Sequence, residues 1–140
     1  MSGTMRPSDG PTDLIATIFI HSRPHRIDMS SSPSNYANAQ WELVPSGNYF
    51  WIRSLYHPEP DLAMTVSAVD TPGTLVMAAK WSGHSSQLWT ATNEVGKLWT
   101  FVSLGGNALQ PANFNKGANL VLGQFGGSPG TGQLWVYPND

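Results

Sequence analysis

His21 and His25, in the stretch HSRPH, stand four apart, the spacing of a metal-binding pair on one face of a helix. Pro24 lies between them and the flanking residues read as strand and loop, so the spacing carries no helical geometry. No third ligand cluster accompanies them, and the pair is expected to be polar loop residues. Serines and histidines are both present, but the chain has no Gly-x-Ser-x-Gly elbow to expose a nucleophile. Nine Asp and Glu residues offer carboxylates, and nothing in their spacing singles out a catalytic pair. The glycine-rich stretches GGNALQ and FGGSPGTG lack the following Lys-Ser/Thr and the helix start that phosphate binding uses. The chain is therefore expected to be no enzyme, with no metal and no cofactor.

What does recur is glutamine beside tryptophan. Gln87-Leu88-Trp89 and Gln133-Leu134-Trp135 are the same tripeptide, and Gln40-Trp41 precedes them. The three Trp residues are 48 and 46 apart, which is the range of an internal structural repeat. A repeated indole is first a packing element, since it buries a large area. Trp41, Trp89 and Trp135 are accordingly expected in the core, with each Gln amide holding a turn by donating and accepting at once.

Composition narrows the partners. Charged residues make up 11% of the 140-residue chain, against about 25% in an average soluble domain. The seven Lys and Arg are scattered and the net charge is −2, which argues against nucleic acid and against an anionic membrane surface. Ser, Thr, Asn, Gln and Gly dominate the polar inventory, suiting neutral, hydroxyl-rich partners. The absence of cysteine excludes disulfides, thiol catalysis and thiolate zinc sites. The N-terminal residues carry no apolar stretch of signal length, and the longest apolar run, Leu14 to Ile20, is too short to span a bilayer. A cytoplasmic or non-classically secreted chain, without membrane insertion, is the expectation.

The elements that must position any site follow from the repeat. From Asp13 and from Asp61 the chain opens Asp-Leu, with Thr17 over Thr65, Ile18 over Val66 and Pro24 over Pro72. A shorter third copy begins at Ala108. This alignment places Leu14, Leu62 and Leu109 at one position and Met29, Met77 and Leu122 at another. After each of the first two signature tryptophans comes a turn and a second Trp, Trp51 and Trp99. The units are short apolar, β-branched or aromatic runs split by Gly, Pro, Asn and Ser, with no helical period. The expectation is one all-β domain over 1–140, with repeats near 13–60, 61–107 and 108–140. The N-terminal strand, 1–12, supplies the last strand of the short third unit. Closure around a three-fold axis would hide most strand edges.

Three units of this length, each with a Gln/Trp pair near its third strand, resemble the β-trefoil of ricin B-chain-like (R-type) lectins, and fungal lectins among them. The Gln-x-Trp signature is intact in units two and three, while unit one has Ala39 in place of the Gln. The resemblance implies carbohydrate binding of galactose or N-acetylgalactosamine type, with glycans or glycoproteins as partners. It places an anchoring acid on the first internal strand of each unit, a stacking aromatic about ten residues before the Trp, and an Asn just before the Gln-x-Trp. Carried onto this chain, the acid position falls near Thr17 to Phe19 in unit one and near Thr65 to Ser67 in unit two, and neither is acidic. Asn38 matches the Asn of unit one, with Asn35 and Tyr36 in the same loop as a candidate amide and ring. Unit two has Ala79 and Ser86 at the stacking and Asn positions, though Asp70, Lys80 and His84 could form a different site, and Trp81 could fill a core position. Unit three matches best: Asn113 stands 22 residues before Trp135, Gln124 and Phe125 fall near the stacking position, and Gly132 replaces the Asn. The competing reading there is a buried Phe125 and a turn-forming Asn113.

Two further expectations are carried forward. Similar-looking trefoils inhibit proteases through a surface loop, and the candidates are Tyr56 to Asp61 and 21–26, with Arg23 as bait for a trypsin-like pocket. The strand Asn48 to Tyr56 is a candidate homodimer contact, with core burial the other reading.

Overall fold

The computed structural model describes residues 2–20, 24–31 and 36–139. The two-residue strands β1 (Ser2–Gly3) and β2 (Arg6–Pro7) come first. Unit one holds β3 (Ile15–Phe19), β4 (His25–Ser30), β5 (Trp41–Ser46) and β6 (Tyr49–Ser54). Unit two holds β7 (Leu62–Val66), β8 (Val76–Lys80), β9 (Trp89–Val95) and β10 (Leu98–Ser103). Unit three holds β11 (Asn107–Pro111), β12 (Leu120–Gln124) and β13 (Trp135–Val136). The helical content among the described residues is two single 3-10 turns, Ala37–Ala39 and Ser85–Gln87. The all-β expectation holds.

Strand patterning explains the two kinds of face. In β4, His25, Ile27 and Met29 are buried while Arg26, Asp28 and Ser30 lie toward the surface. That is the two-residue period of a strand with one face on a core. Each of the first two units pairs its inner hairpin antiparallel, β3 with β4 and β7 with β8, and its outer hairpin likewise, β5 with β6 and β9 with β10. Unit three pairs β11 with β12, and β13 pairs with β2, so Pro7 stands opposite Trp135 as Ser54 does opposite Trp41 and Ser103 opposite Trp89.

The three signature indoles fix the equivalence of the units. All are fully buried, and their Nε1–H groups donate to Ala16 O (2.9 Å), Met64 O (3.1 Å) and Leu109 O (2.9 Å). Ala16, Met64 and Leu109 therefore share a position. Their hairpin partners are Met29, Ala78 and Leu122. This corrects the sequence alignment twice: Leu109 does not match Leu14 and Leu62, and Met77 does not match Met29. For Met77 the cause is loop length. The chain runs 12 residues from Met29 to Trp41 but 11 from Ala78 to Trp89, and one residue of slip turns a side chain to the other face of a strand. Ala78 is buried and Met77 is half-buried accordingly.

The remaining tryptophans pack around this centre. Trp51 is buried and stacks on the half-buried Trp81, centroids 4.4 Å apart and planes 10° off parallel. Within Asn48 to Tyr56, Trp51 and Ile52 are taken by the interior and Tyr49 is left exposed. The Tyr56 to Asp61 loop is tied down at two points, Glu59 to His25 (3.0 Å) and Asp61 to Arg53 (3.2 Å).

The inner hairpins hand their turns to one another. Gly117 N–H donates to Met29 O (2.7 Å), and Met29 N–H donates to Ala118 O (2.8 Å), docking the β11–β12 turn on β4. Gly73 N–H donates to Leu122 O (2.7 Å) and Leu122 N–H to Thr74 O (2.9 Å), docking the β7–β8 turn on β12 in the same way. Gly117 and Gly73 both carry positive φ, 89° and 92°, which a residue with a Cβ rarely adopts. Unit one leans on unit two through β4 and β8, with His25 opposite Ala78.

Candidate functional site

In unit one the hand-off builds a concavity of about 310 Å³. Thr17 and Phe19 from β3, Asp28 from β4, Asn38 from the 3-10 turn, and Lys116 and Gly117 from the docked turn of unit three line it. Thr17 and Asp28 stand directly opposite across the hairpin. Thr17 Oγ1 donates to Ile15 O (3.1 Å), and Asn38 Nδ2 donates to Ile18 O (3.3 Å), which fixes both side chains at the wall. Arg26 lies over the Phe19 ring, its guanidinium carbon 4.2 Å from the centroid, and its Nη2 reaches Asp28 Oδ2 at 3.4 Å.

Asp28 Oδ1 is different. It is buried and accepts no hydrogen bond among the described residues. A buried acceptor left unpaired costs about 1–3 kcal/mol, and more when it carries charge. Asp28 itself lines the concavity, so rotation of the carboxylate would bring this acceptor to a donor from outside. Sequence reasoning did not single out Asp28 because an acid was sought on the first strand of the hairpin, near Thr17, whereas Asp28 lies on the second strand, directly opposite Thr17. The signal was Asp28 itself, one of nine acids, in a run of strand character.

Of the predicted residues of unit one, Asn38 lies in this concavity. Tyr36 is exposed and precedes the 3-10 turn. Asn35, Arg23 and His21 lie outside the described residues.

Unit two has two adjoining concavities, of about 440 and 370 Å³, which share Val66, Ala68, His84 and Ser86. The structure does bring Asp70 and His84 to the smaller one. Asp70 is already engaged, however: Oδ1 accepts from Ser103 Oγ (2.8 Å) and Asn107 Nδ2 (2.9 Å), and Oδ2 accepts from Gly105 N (2.9 Å). It braces the β7–β8 turn against the β10–β11 turn. A Cβ at Gly105 would lie 2.5 Å from Asp70 Cγ, so the brace requires glycine there. His84 Nδ1 accepts from Ser86 N–H (3.2 Å), which places the ring proton of the neutral imidazole on Nε2. Lys80 is exposed, and its carbonyl, not its ammonium, takes the Gln87 amide at 2.8 Å.

Unit three arranges its predicted residues apart. Asn113 is exposed and its Oδ1 accepts from Asn115 N–H (2.8 Å), closing a turn beyond the Pro111 and Leu120 rung. Gln124 is exposed at the opposite end of the hairpin, paired with Asn107, four rungs or about 13 Å along the strand. Phe125 is half-buried. The rung of Thr17 is occupied here by Gln110, whose Oε1 accepts from the signature Gln133 Nε2 at 3.0 Å. The Gln110 amide lies on Gly123, where an added Cβ would come within 1.7 Å of its oxygen. Gly132 N–H donates to both Asp9 oxygens (3.2 Å each), and a Cβ there would meet Pro111 at 3.2 Å and Phe114 at 3.6 Å.

The signature glutamines serve the scaffold. Gln87 Nε2 donates to Lys80 O and to Thr65 Oγ1 (3.2 Å), while its Oε1 accepts from Ser82 N–H (2.8 Å). Gln133 Nε2 donates to Gln124 O (2.9 Å), and Oε1 accepts from Gly130 N–H (2.8 Å). In unit one the buried Ala39 leaves Thr17 without the donor that Thr65 has.

No family model matches the sequence, and no curated protein matches it significantly. The structure has clear counterparts. ThreeFoil, a designed three-fold symmetric protein, superposes with a TM-score of 0.79 at 20% identity over 96% of this chain and 95% of that one. The chain is a β-trefoil. The Macrolepiota procera ricin B-like lectin, solved in complex with lactose, gives a TM-score of 0.77 at 13% identity over 97% and 93% of the two chains. The Polyporus squamosus lectin, bound to the epitope Neu5Acα2-6Galβ1-4GlcNAc, gives 0.77 at 17% identity over 96% of this chain. This trefoil spans 47% of that lectin chain. Likeness at such identity carries the fold, and the ligand has to be argued from the concavities. Among the described residues of the trefoil, no helix is long and apolar enough to cross a membrane, and no group of three or more His, Cys, Asp or Glu could hold a metal ion.

Proposed function

We propose that the protein is a lectin: it binds glycans without chemical conversion, through the concavity of unit one. The observation that carries this reading is the buried, unpaired Asp28 Oδ1 in a wall shared with Phe19 and Asn38. Hydroxyl donors of a pyranose suit that oxygen once the carboxylate turns toward the space, and Phe19, whose ring carries Arg26 on one face, adds apolar carbon to the same wall. Galactose or N-acetylgalactosamine is the sugar class we assign. Its support is the family resemblance, together with the galactose present in the ligands of both lectins of similar fold. A single open site of this size binds weakly, and presentation of several copies raises avidity.

The test is a glycan array followed by calorimetry on the best ligand, with Asp28→Ala beside the wild type. A hydrogen bond to a charged group is worth about 1.5–3 kcal/mol, so the variant is expected to lose about tenfold or more in affinity. Its melting temperature is expected not to fall, because the truncation also removes a desolvated charge. Unchanged glycan binding by Asp28→Ala would sink the assignment of the site.

A further inference from the structure

Asp28 and Lys116 are the two charged residues lining the unit-one concavity. Asp28 has Arg26 within 3.4 Å at its other oxygen. Lys116 has no carboxylate within ion-pair distance among the described residues, although it shares the concavity with Asp28. The two charges thus face one space without collapsing onto each other. Lys116 is also held in place by its backbone. The turn that carries it is pinned by Gly117 N–H to Met29 O, Met29 N–H to Ala118 O, and Ala118 N–H to Asn115 O (3.1 Å). Asn113 closes the same turn from the other side. The backbone therefore fixes where the side chain starts, and an exposed lysine from a different unit borders the concavity.

We infer that Lys116 selects glycans that carry an anionic substituent, a carboxylate or a sulfate ester, next to the sugar whose hydroxyls Asp28 accepts. This rests on the glycan reading of the unit-one site. With Arg26 offsetting Asp28, the ammonium of Lys116 is the uncompensated charge of the concavity, and an oxyanion supplies its counterpart. The acid end of such a ligand sits toward unit three and its neutral sugar toward the β3–β4 hairpin. The attraction acts in partly exposed surroundings, so it adjusts preference and leaves the neutral sugar as the anchor.

The experiment compares lactose, sialyllactose and sulfolactose by calorimetry on the whole chain, at low and at high salt. An exposed ion pair contributes up to about 1 kcal/mol, which is about a fivefold preference for an anionic form over lactose at low salt. That ratio is expected to shrink as salt rises and to fall to about one in Lys116→Gln. Lys97→Gln, at the exposed β9–β10 turn, is the control and is expected to keep the wild-type ratio. Preference for sialyllactose alone assigns a carboxylate, and preference for sulfolactose alone a sulfate. Equal affinity for all three sugars, with binding still lost in Asp28→Ala, overturns the role of Lys116 and leaves the lectin reading standing. An anionic preference that survives Lys116→Gln also overturns it. Binding of none of the three overturns this inference, and with no hit on the glycan array it removes the lectin reading as well.

Discussion

In unit one, Thr17 faces Asp28 across the hairpin, Ala39 stands at the signature position, and a concavity remains open. In unit three the same rung carries Gln110 opposite Val121, the signature Gln133 holds the Gln110 amide, and that amide lies on Gly123. Below this level the two units are alike: both indoles are fully buried and both donate to the equivalent strand carbonyl. The difference teaches that the residues identifying the repeat belong to the scaffold. The unit with the broken signature is the one that leaves a carboxylate oxygen unpaired, and the unit with the intact signature closes its polar groups on one another.

Four substitutions probe this contrast. The largest effect concerns what the units share. Trp41→Ala and Trp135→Ala are each expected to cost about 3–5 kcal/mol in denaturant unfolding, and similar amounts, since the two indoles are equivalent. A large disparity would break the equivalence of the two scaffolds. A middle effect concerns the closure of unit three. Gly123→Ala forces a methyl into the Gln110 amide and is expected to cost about 1–3 kcal/mol in stability. Stability equal to wild type would mean that Gln110 does not rest on Gly123. The smallest effect concerns Asn113. Its exposed turn bond leads us to expect that Asn113→Ala changes stability by about 0.5 kcal/mol or less and leaves affinity for a neutral glycan as it was. Lost binding in that variant would return the site to unit three.

Much of the fold was legible because bulky residues repeat at fixed spacing. Trp41, Trp89 and Trp135 announce three units, and the glycine, proline and asparagine between short apolar runs mark the turns. The finer alignment was not legible, because loops that differ by a residue shift apparent equivalence along the strand, as at Met77. Asn38 could be placed in the site from its distance to the signature. Asp28 could not, since crossing from one strand of a hairpin to the other leaves the geometry of a site nearly unchanged while moving its residue by eleven positions from Thr17. Lys116 was further out of reach: it stands 88 residues from Asp28 in the chain and meets it only because one unit's turn docks on another's strand.

That docking bears on how such a molecule can diversify. The wall of the unit-one concavity and the turn at its rim are written in two distant stretches, as Lys116 and Gly117 of unit three illustrate. Pro24 of unit one borders the concavity of unit two in the same manner. A replacement confined to the few residues around Lys116 therefore changes the lining of a neighbour's concavity and leaves the buried tryptophans untouched. The lining of a concavity can change by exchange of short turns while the packed framework stays still.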